Sequence, residues 1–322
     1  MRHLHPVRCT RSGFPLCVTV IFLRLRRSSI RYQSVRLCLE EGVPDSLGEE
    51  WRSAVLAELE VAEDELPRLS RAAVELAALV VSGEYNAVAV GDILEGDEVL
   101  KGQVIDLANS ALYAASDPVE SPSVAAQRIG MRGLWELAVI KVARSHVFGP
   151  VLESVLGGEQ TWKSARIAGA ISHRVSSAKL GANRASMLAG LILCAGAPLG
   201  HQLVQRVEKR RGSKLSSRMR RELVSRAGPA LCLMLARNWS LPPAIEAAAE
   251  SLAGGRNDLP PNREVQVAVF STYLGRLLAA QGFDNLSIPL GWPSTLALEI
   301  DQRELDDIVA LASTAGASAI GF

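Results

Sequence analysis

"GDILEGDEVLKGQVIDLANSALY", residues 91–113, is the stretch whose period decides the fold. Asp97 stands just before a run of sixteen residues, "EVLKGQVIDLANSALY", that holds no proline. An aspartate in that place can accept hydrogen bonds from the free N–H groups of a helix start, so the run reads as a capped helix. Upstream, "AVAVGDIL" reads as a short helix that Asn86 can cap. Farther back, "RLSRAAVELAALVVSG" sets Leu69, Val74, Leu76, Leu79 and Val80 at helical spacing, with Gly83 as its stop. "WRSAVLAELEVAEDEL" does the same with Val55, Leu56, Leu59 and Leu66 before Pro67 interrupts it.

Downstream, "SDPVESPS" is a turn, and Ser123 opens "VAAQRIG", whose glycine ends one helix and hands over to "MRGLWELAVIKVARSHVF". "TWKSARIAGAISHRVSSAKL", "NRASMLAGLILC", "LSSRMRRELVSRAGPALCLMLARNW" and "PPAIEAAAESL" read as further helices. The break "AGGRNDLPPN" is followed by "REVQVAVFSTYLGRLLAAQG" and by "DQRELDDIVALAS", where Asp301 and Glu304 form a capping-box pattern. No convincing alternating run exceeds four residues, so the expected class is all-α, a multi-helix bundle.

Composition agrees. The chain has 322 residues, 48% of them hydrophobic and 5% aromatic, enough to bury a large core built from Ala, Leu and Val. Its 35 basic and 34 acidic residues leave a formal charge of +1, which excludes binding of polyanions by bulk charge and makes any charge effect local. Cys9, Cys17, Cys38, Cys194 and Cys232 form no CxxC pair, and reduced thiols in the cytoplasm are the expected state. Residues 1–47 differ from the rest: eight arginines precede the first acid, Glu40. Their apolar piece "FPLCVTVIFL" is far short of the roughly 20 residues a spanning helix needs, and no membrane partner is expected. A signal peptide, a transit peptide, and an unstructured extension or mis-called start all remain open readings of this segment.

Several motifs in order carry a resemblance. "LPRL" before an apolar helix, the 91–113 stretch ending in "LANSALY", "PVESPSVAAQRIGMRGLWELAV", "TWKSARIAGAI", "LAGLILCAGAPLG" and "ARNWSLPPAIEAAAES" together resemble the HD-related output domain, HDOD, over roughly residues 64 to 255. The resemblance implies a helical bundle related to the metal-dependent phosphohydrolases of the HD superfamily and used as an output or adaptor module in bacterial signalling. On this reading residues 48–255 form the HDOD-like domain and 256–322 a helical extension packed on it.

The HD enzymes hold a divalent metal with a histidine, a His-Asp doublet and a distant aspartate, and the metal activates water against a phosphate ester. Aligning Gly190 and Gly196 on the family's Gly-x-x-His-Asp-x-Gly pattern puts Leu193 and Cys194 in the doublet. Ser164, two residues after Trp162, Gly228, counted back from Trp239, and Ser251 with Leu252 fall at other usual histidine places. None of these supplies the imidazole and carboxylate set such a site requires. His3 and His5 lie in the leader, while His146, His173 and His201 read as isolated surface or half-buried residues.

No catalytic residue, metal ligand or cofactor site is therefore expected. Cys194 lacks an adjacent base or cation in the sequence and reads as a buried structural thiol. Asn109 and Tyr113 read as a helix-end cap and a packed ring with its hydroxyl at the rim. The remaining candidate is a basic turn, "RVEKRRGSKLSSRMRREL", with Arg206, Lys209, Arg210, Arg211, Lys214, Arg218, Arg220 and Arg221 against Glu208 and Glu222. It is either a solvated face or a contact for an acidic protein, a nucleotide or nucleic acid, although aromatic side chains for base stacking are missing. The expected function is a non-catalytic signalling module working through a protein partner. The alternative is a divergent HD-type phosphohydrolase acting on nucleotides or cyclic dinucleotides, and a weaker third is salt-sensitive DNA binding through the basic turn.

Overall fold

The computed structural model describes residues 48–82, 87–110, 113, 117–150, 158–181, 186–253, 262–283 and 293–317, and among them every regular element is helical. The N-terminal segment, the Asn86 cap and the Gly83 stop lie outside the described residues. In chain order the helices are α1 Glu49–Glu65, α2 Arg71–Ser82, α3 Ala87–Glu95, α4 Glu98–Ala108, α5 Pro122–Val142, α6 Gly158–Leu180, α7 Leu188–Ile192, α8 Gly196–Arg211, α9 Ser217–Asn238, α10 Pro243–Ala253, α11 Arg263–Gln281, α12 Pro293–Ala297 and α13 Gln302–Ala317. A π turn, Ala143–Phe148, continues α5, and a 3-10 turn, Leu193–Ala195, joins α7 to α8.

Sequence cues explain most of the boundaries. Asp97 caps α4 by accepting from Leu100 N at 3.0 Å, and Asn109 ends that helix, earlier than the "LANSALY" run suggests. The Asn109 amide then binds both backbone groups of Val119, at 2.8 and 2.9 Å, and so closes the loop between α4 and α5. Ser121, not Ser123, occupies the cap position of α5; Pro122 follows it, and the two serine hydroxyls bind each other at 2.9 Å. Gly130 sits at φ 77°, a conformation open to glycine and costly for other residues, and it breaks α5 where the sequence predicts a handover. Asp301 caps α13 through Glu304 N, but the Glu304 side chain turns to Lys179 at 2.7 Å, so the capping box is only half formed.

Two apolar cores hold the bundle. The larger joins side chains from α1 through α11, and Leu76, Leu100, Leu134, Leu137, Phe148 and Leu188 are fully enclosed in it. The smaller lies between α6, α11 and the C-terminal helices and contains Ile167, Ile171, Phe270, Leu274, Leu305 and Ile308. Helix α11 serves both: Val265 and Val269 face the larger core, Phe270 and Leu274 the smaller. The run Leu188–Arg211 is long and apolar enough to cross a bilayer by length and composition, but 72% of its apolar window is buried inside the bundle. Its apolarity is that of a core helix.

Asp97 also reaches Lys141 on α5 with both carboxylate oxygens, tying the cap to the bundle. Burial pushes its carboxyl upward, but bonding from Lys141 and from the Leu100 and Val99 amides outweighs this and holds it below the usual value. Its stabilising contribution is therefore present above the ordinary carboxylate range and lost as pH falls through the lowered value. Asp97→Ala is expected to cost about 1–2 kcal/mol in urea denaturation near neutral pH, and Asp97→Asn, which keeps the cap, less than half of that. Equal losses in the two variants would contradict the shared role.

Candidate functional site

Gly190, Leu193, Cys194 and Gly196 lie where α7, the 3-10 turn and α8 pass between α6, α9 and α11. Backbones meet here without side chains between them. A Cβ on Gly190 would fall 2.1 Å from the Ala168 carbonyl oxygen of α6. One on Gly196 would fall 2.5 Å from the Gly228 oxygen of α9, and one on Gly228 would fall 2.8 Å from the Gly196 oxygen. A Cβ on Gly275 of α11 would fall 2.7 Å from that of the same Ala168. Such separations lie inside van der Waals contact, so these glycines set how closely the five helices approach.

Leu193 and Cys194 are buried in this packing. The Cys194 thiol points back to the Gly190 carbonyl at 3.7 Å, and the Cys232 thiol donates to Ile192 O at 3.3 Å. Arg276 of α11 donates to Leu193 O at 3.0 Å and lies beside both sulfurs. Burial pushes the Cys194 thiol up against the pull of that guanidinium, and pushes Cys232 up to about 12. Both sulfurs are thus neutral at pH 7, unlike a thiolate nucleophile or a metal-bound thiolate.

The other positions expected to hold histidines do not converge on a cation site. Ser164 spends its hydroxyl on Gln160 O at 2.9 Å, Gly228 is locked against Gly196, and Ser251 and Leu252 are half-buried on α10. His146 is exposed on the π turn. His173 stacks on Tyr113 at 5.4 Å and His201 sits on α8, and burial lowers the pKa of both. Among the described residues no group of three His, Cys, Asp or Glu side chains is placed to hold a metal ion. The residues at this locus do not fit the divalent metal of the HD pattern.

Glu136 on α5 escaped the sequence reading. It is 3% exposed, and one carboxylate oxygen accepts from Met187 N at 2.9 Å and Leu188 N at 3.2 Å, fixing the start of α7. The other oxygen pairs with Arg132 at 3.3 Å. Burial pushes its carboxyl above the usual range, against the Arg132 charge and the bonds from Ser186 and the two amides. Burial and the nearby Glu136 charge raise the Tyr113 hydroxyl as well. An acid inside the apolar run "LWELAVI" is the one signal in the sequence that points to this group.

The basic turn divides into two sets. Arg206 pairs with Glu58 at 2.6 Å and Glu65 at 3.1 Å, Arg210 with Glu58 at 2.9 Å, Arg211 with Glu50 at 2.7 Å, and Arg220 with Glu208 at 2.8 Å. Arg211 also lies 4.8 Å over the Trp51 ring. Lys209, Lys214, Arg218 and Arg221 are exposed and make no ion pair among the described residues. Gly212, at φ 65°, ends α8 within the basic turn.

The family profile described as HDOD domain matches residues 66–252. No curated protein matches the chain. A provisionally assigned metal-dependent phosphohydrolase from Shewanella amazonensis SB2B superposes with TM-score 0.60 at 17% identity, over 83% of this chain and 99% of its own. An HDOD domain protein of unknown function from Geobacter sulfurreducens gives 0.53 at 17%, over 82% and 98%. A provisionally assigned signal transduction protein from Marinobacter aquaeolei VT8 gives 0.50 at 21%, over 83% and 66%. At these identities the likeness is one of fold.

Proposed function

The chain belongs to the HDOD domain family, and on that premise we propose that it is a non-catalytic module of bacterial, cytoplasmic signal transduction that works by holding a protein partner on its helix surfaces. The observation that carries this reading is the Gly196–Gly228 contact, where a Cβ on Gly228 would fall 2.8 Å from the Gly196 carbonyl oxygen and leave no room for an imidazole. A hydrolytic site needs donors converging on a cation and space for a water and a phosphate. Here the corresponding volume is taken by Leu193, two neutral thiols and backbone. Cys194 and Cys232, both free and buried, suit a reducing compartment.

The test is turnover. Purified protein supplied in turn with magnesium, manganese, iron(II) and zinc is expected to release no product from linear or cyclic dinucleotides or from a generic aryl phosphodiester above a metal-only blank. Metal-dependent turnover that survives repurification would replace the adaptor by the divergent phosphohydrolase.

A further inference from the structure

Helix α1 precedes the residues matched by the family profile and lies across α8 and the adjoining part of α9. It is an acidic amphipathic helix. Val55 and Leu59 are buried against the bundle, Glu58 is fully enclosed between Arg206 and Arg210, and Glu50 and Glu65 bind the two ends of the same row of arginines. Helix α8 therefore offers an apolar strip beside a line of guanidinium groups, a surface complementary to a helix with acids along one edge of its apolar face. Lys209 within that line, and Lys214, Arg218 and Arg221 after its Arg211 end, are exposed and add positive charge that α1 does not pair. Arg218 and Arg221 stand near the start of α9, where the helix dipole disfavours cations and the first turn carries no acid to offset them. Nucleic acid fits the same surface less well: its backbone has no use for the apolar strip, and the ring at the turn, Trp51, is covered by Arg211.

We propose that this α8 face is a docking groove for an acidic amphipathic helix of a protein partner, occupied in the free chain by α1 and opened when the partner's helix displaces it. The proposal rests on the adaptor reading above and names the surface and the partner's chemistry. Exchange of one helix for another requires only that the two compete for the same arginines and the same apolar strip, with the four unpaired cations favouring a ligand that carries more acids than α1.

The probe is a fluorescein-labelled synthetic peptide of residues 48–67, titrated into the full chain and read by anisotropy. Weakening the chain's own α1 by Glu50→Gln with Glu58→Gln is expected to tighten peptide binding at least tenfold over wild type. That binding is expected to weaken at least threefold from 50 to 300 mM salt, and to vanish when Arg206→Glu and Arg210→Glu are added. In wild-type protein, which carries no folding risk, excess peptide is expected to speed hydrogen exchange of the α1 amides. Unchanged α1 exchange, equal binding of a peptide with every Glu replaced by Gln, or displacement of the peptide by duplex DNA at equal charge would each overturn the groove. Turnover measured on the same samples judges the adaptor reading separately, since peptide binding needs no metal.

Discussion

Gly228→His, which restores an imidazole where the HD pattern carries one, is expected to destabilise the protein by about 3 kcal/mol or more and to bind no metal. The new Cβ would lie 2.8 Å from the Gly196 carbonyl oxygen and 3.0 Å from its carbon, and both belong to backbone that cannot rotate away. Relief requires α9 to move off α8, which opens the packing of Leu231, Cys232 and Leu235 as well. Adding Leu193→His and Cys194→Asp buries two further polar groups beside Arg276 and deepens the loss. The control is Gly102→Ala on the exposed face of α4, where a Cβ meets nothing within 4 Å; it is expected to stabilise by about 0.5–1 kcal/mol through helix propensity. Urea denaturation followed by circular dichroism separates the two. A Gly228→His chain as stable as wild type would show that the contact yields cheaply and that the site can be rebuilt.

Glu136→Ala is expected to cost about 2–5 kcal/mol, because it strands the Met187 and Leu188 amides in the interior and leaves Arg132 without its partner. Glu136→Gln keeps one acceptor for the amides and is expected to lose less than half as much. The pH dependence has a definite sign. Burial raises the folded-state carboxyl above its ordinary value near 4.5, so between that value and the raised one the folded protein binds more protons than the unfolded chain. Wild-type stability should therefore fall relative to Glu136→Gln as pH rises upward from 4.5 through this window. A difference that is flat with pH would contradict the buried carboxylate.

Helix type was legible in the sequence because period and caps act locally. Asp97 and Asp301 each accept from the amide that their position implies, and Gly130 bends α5 where a glycine interrupts the apolar spacing. The fate of residues 183–195 was not legible. The run "NRASMLAGLILC" reads as one helix, whereas α7 spans only Leu188–Ile192 and passes through a 3-10 turn into α8. Its start is set by Glu136, far off in sequence, and its end by the Gly196–Gly228 contact, and neither leaves a periodic signal.

In the sequence the locus reads as a loss of ligands, because aligning Gly190 and Gly196 on the family pattern puts Leu193 and Cys194 in the His-Asp positions. That the lost volume is closed by backbone, with Arg276 on the Leu193 carbonyl, depends on helix crossings that sequence spacing does not encode. The basic turn shows the same limit. Its charges were plain, but the acids that pair Arg206, Arg210 and Arg211 come from α1, in the case of Glu58 and Arg206 from 148 positions away, while Arg220 pairs with Glu208 inside the turn. A charge run becomes a surface or a clamp only when the fold brings its counter-ions.

The adaptor reading is tested most directly by the metal content of the full-length protein, grown in medium supplemented with manganese, iron and zinc and purified without chelator. Plasma emission spectrometry on gel-filtered protein is predicted to find well under 0.1 equivalents of any of these transition metals. One or two equivalents that survive dialysis, and that disappear in a Cys194→Ala variant still folded by circular dichroism, would place a cation within the helix crossing and contradict the account.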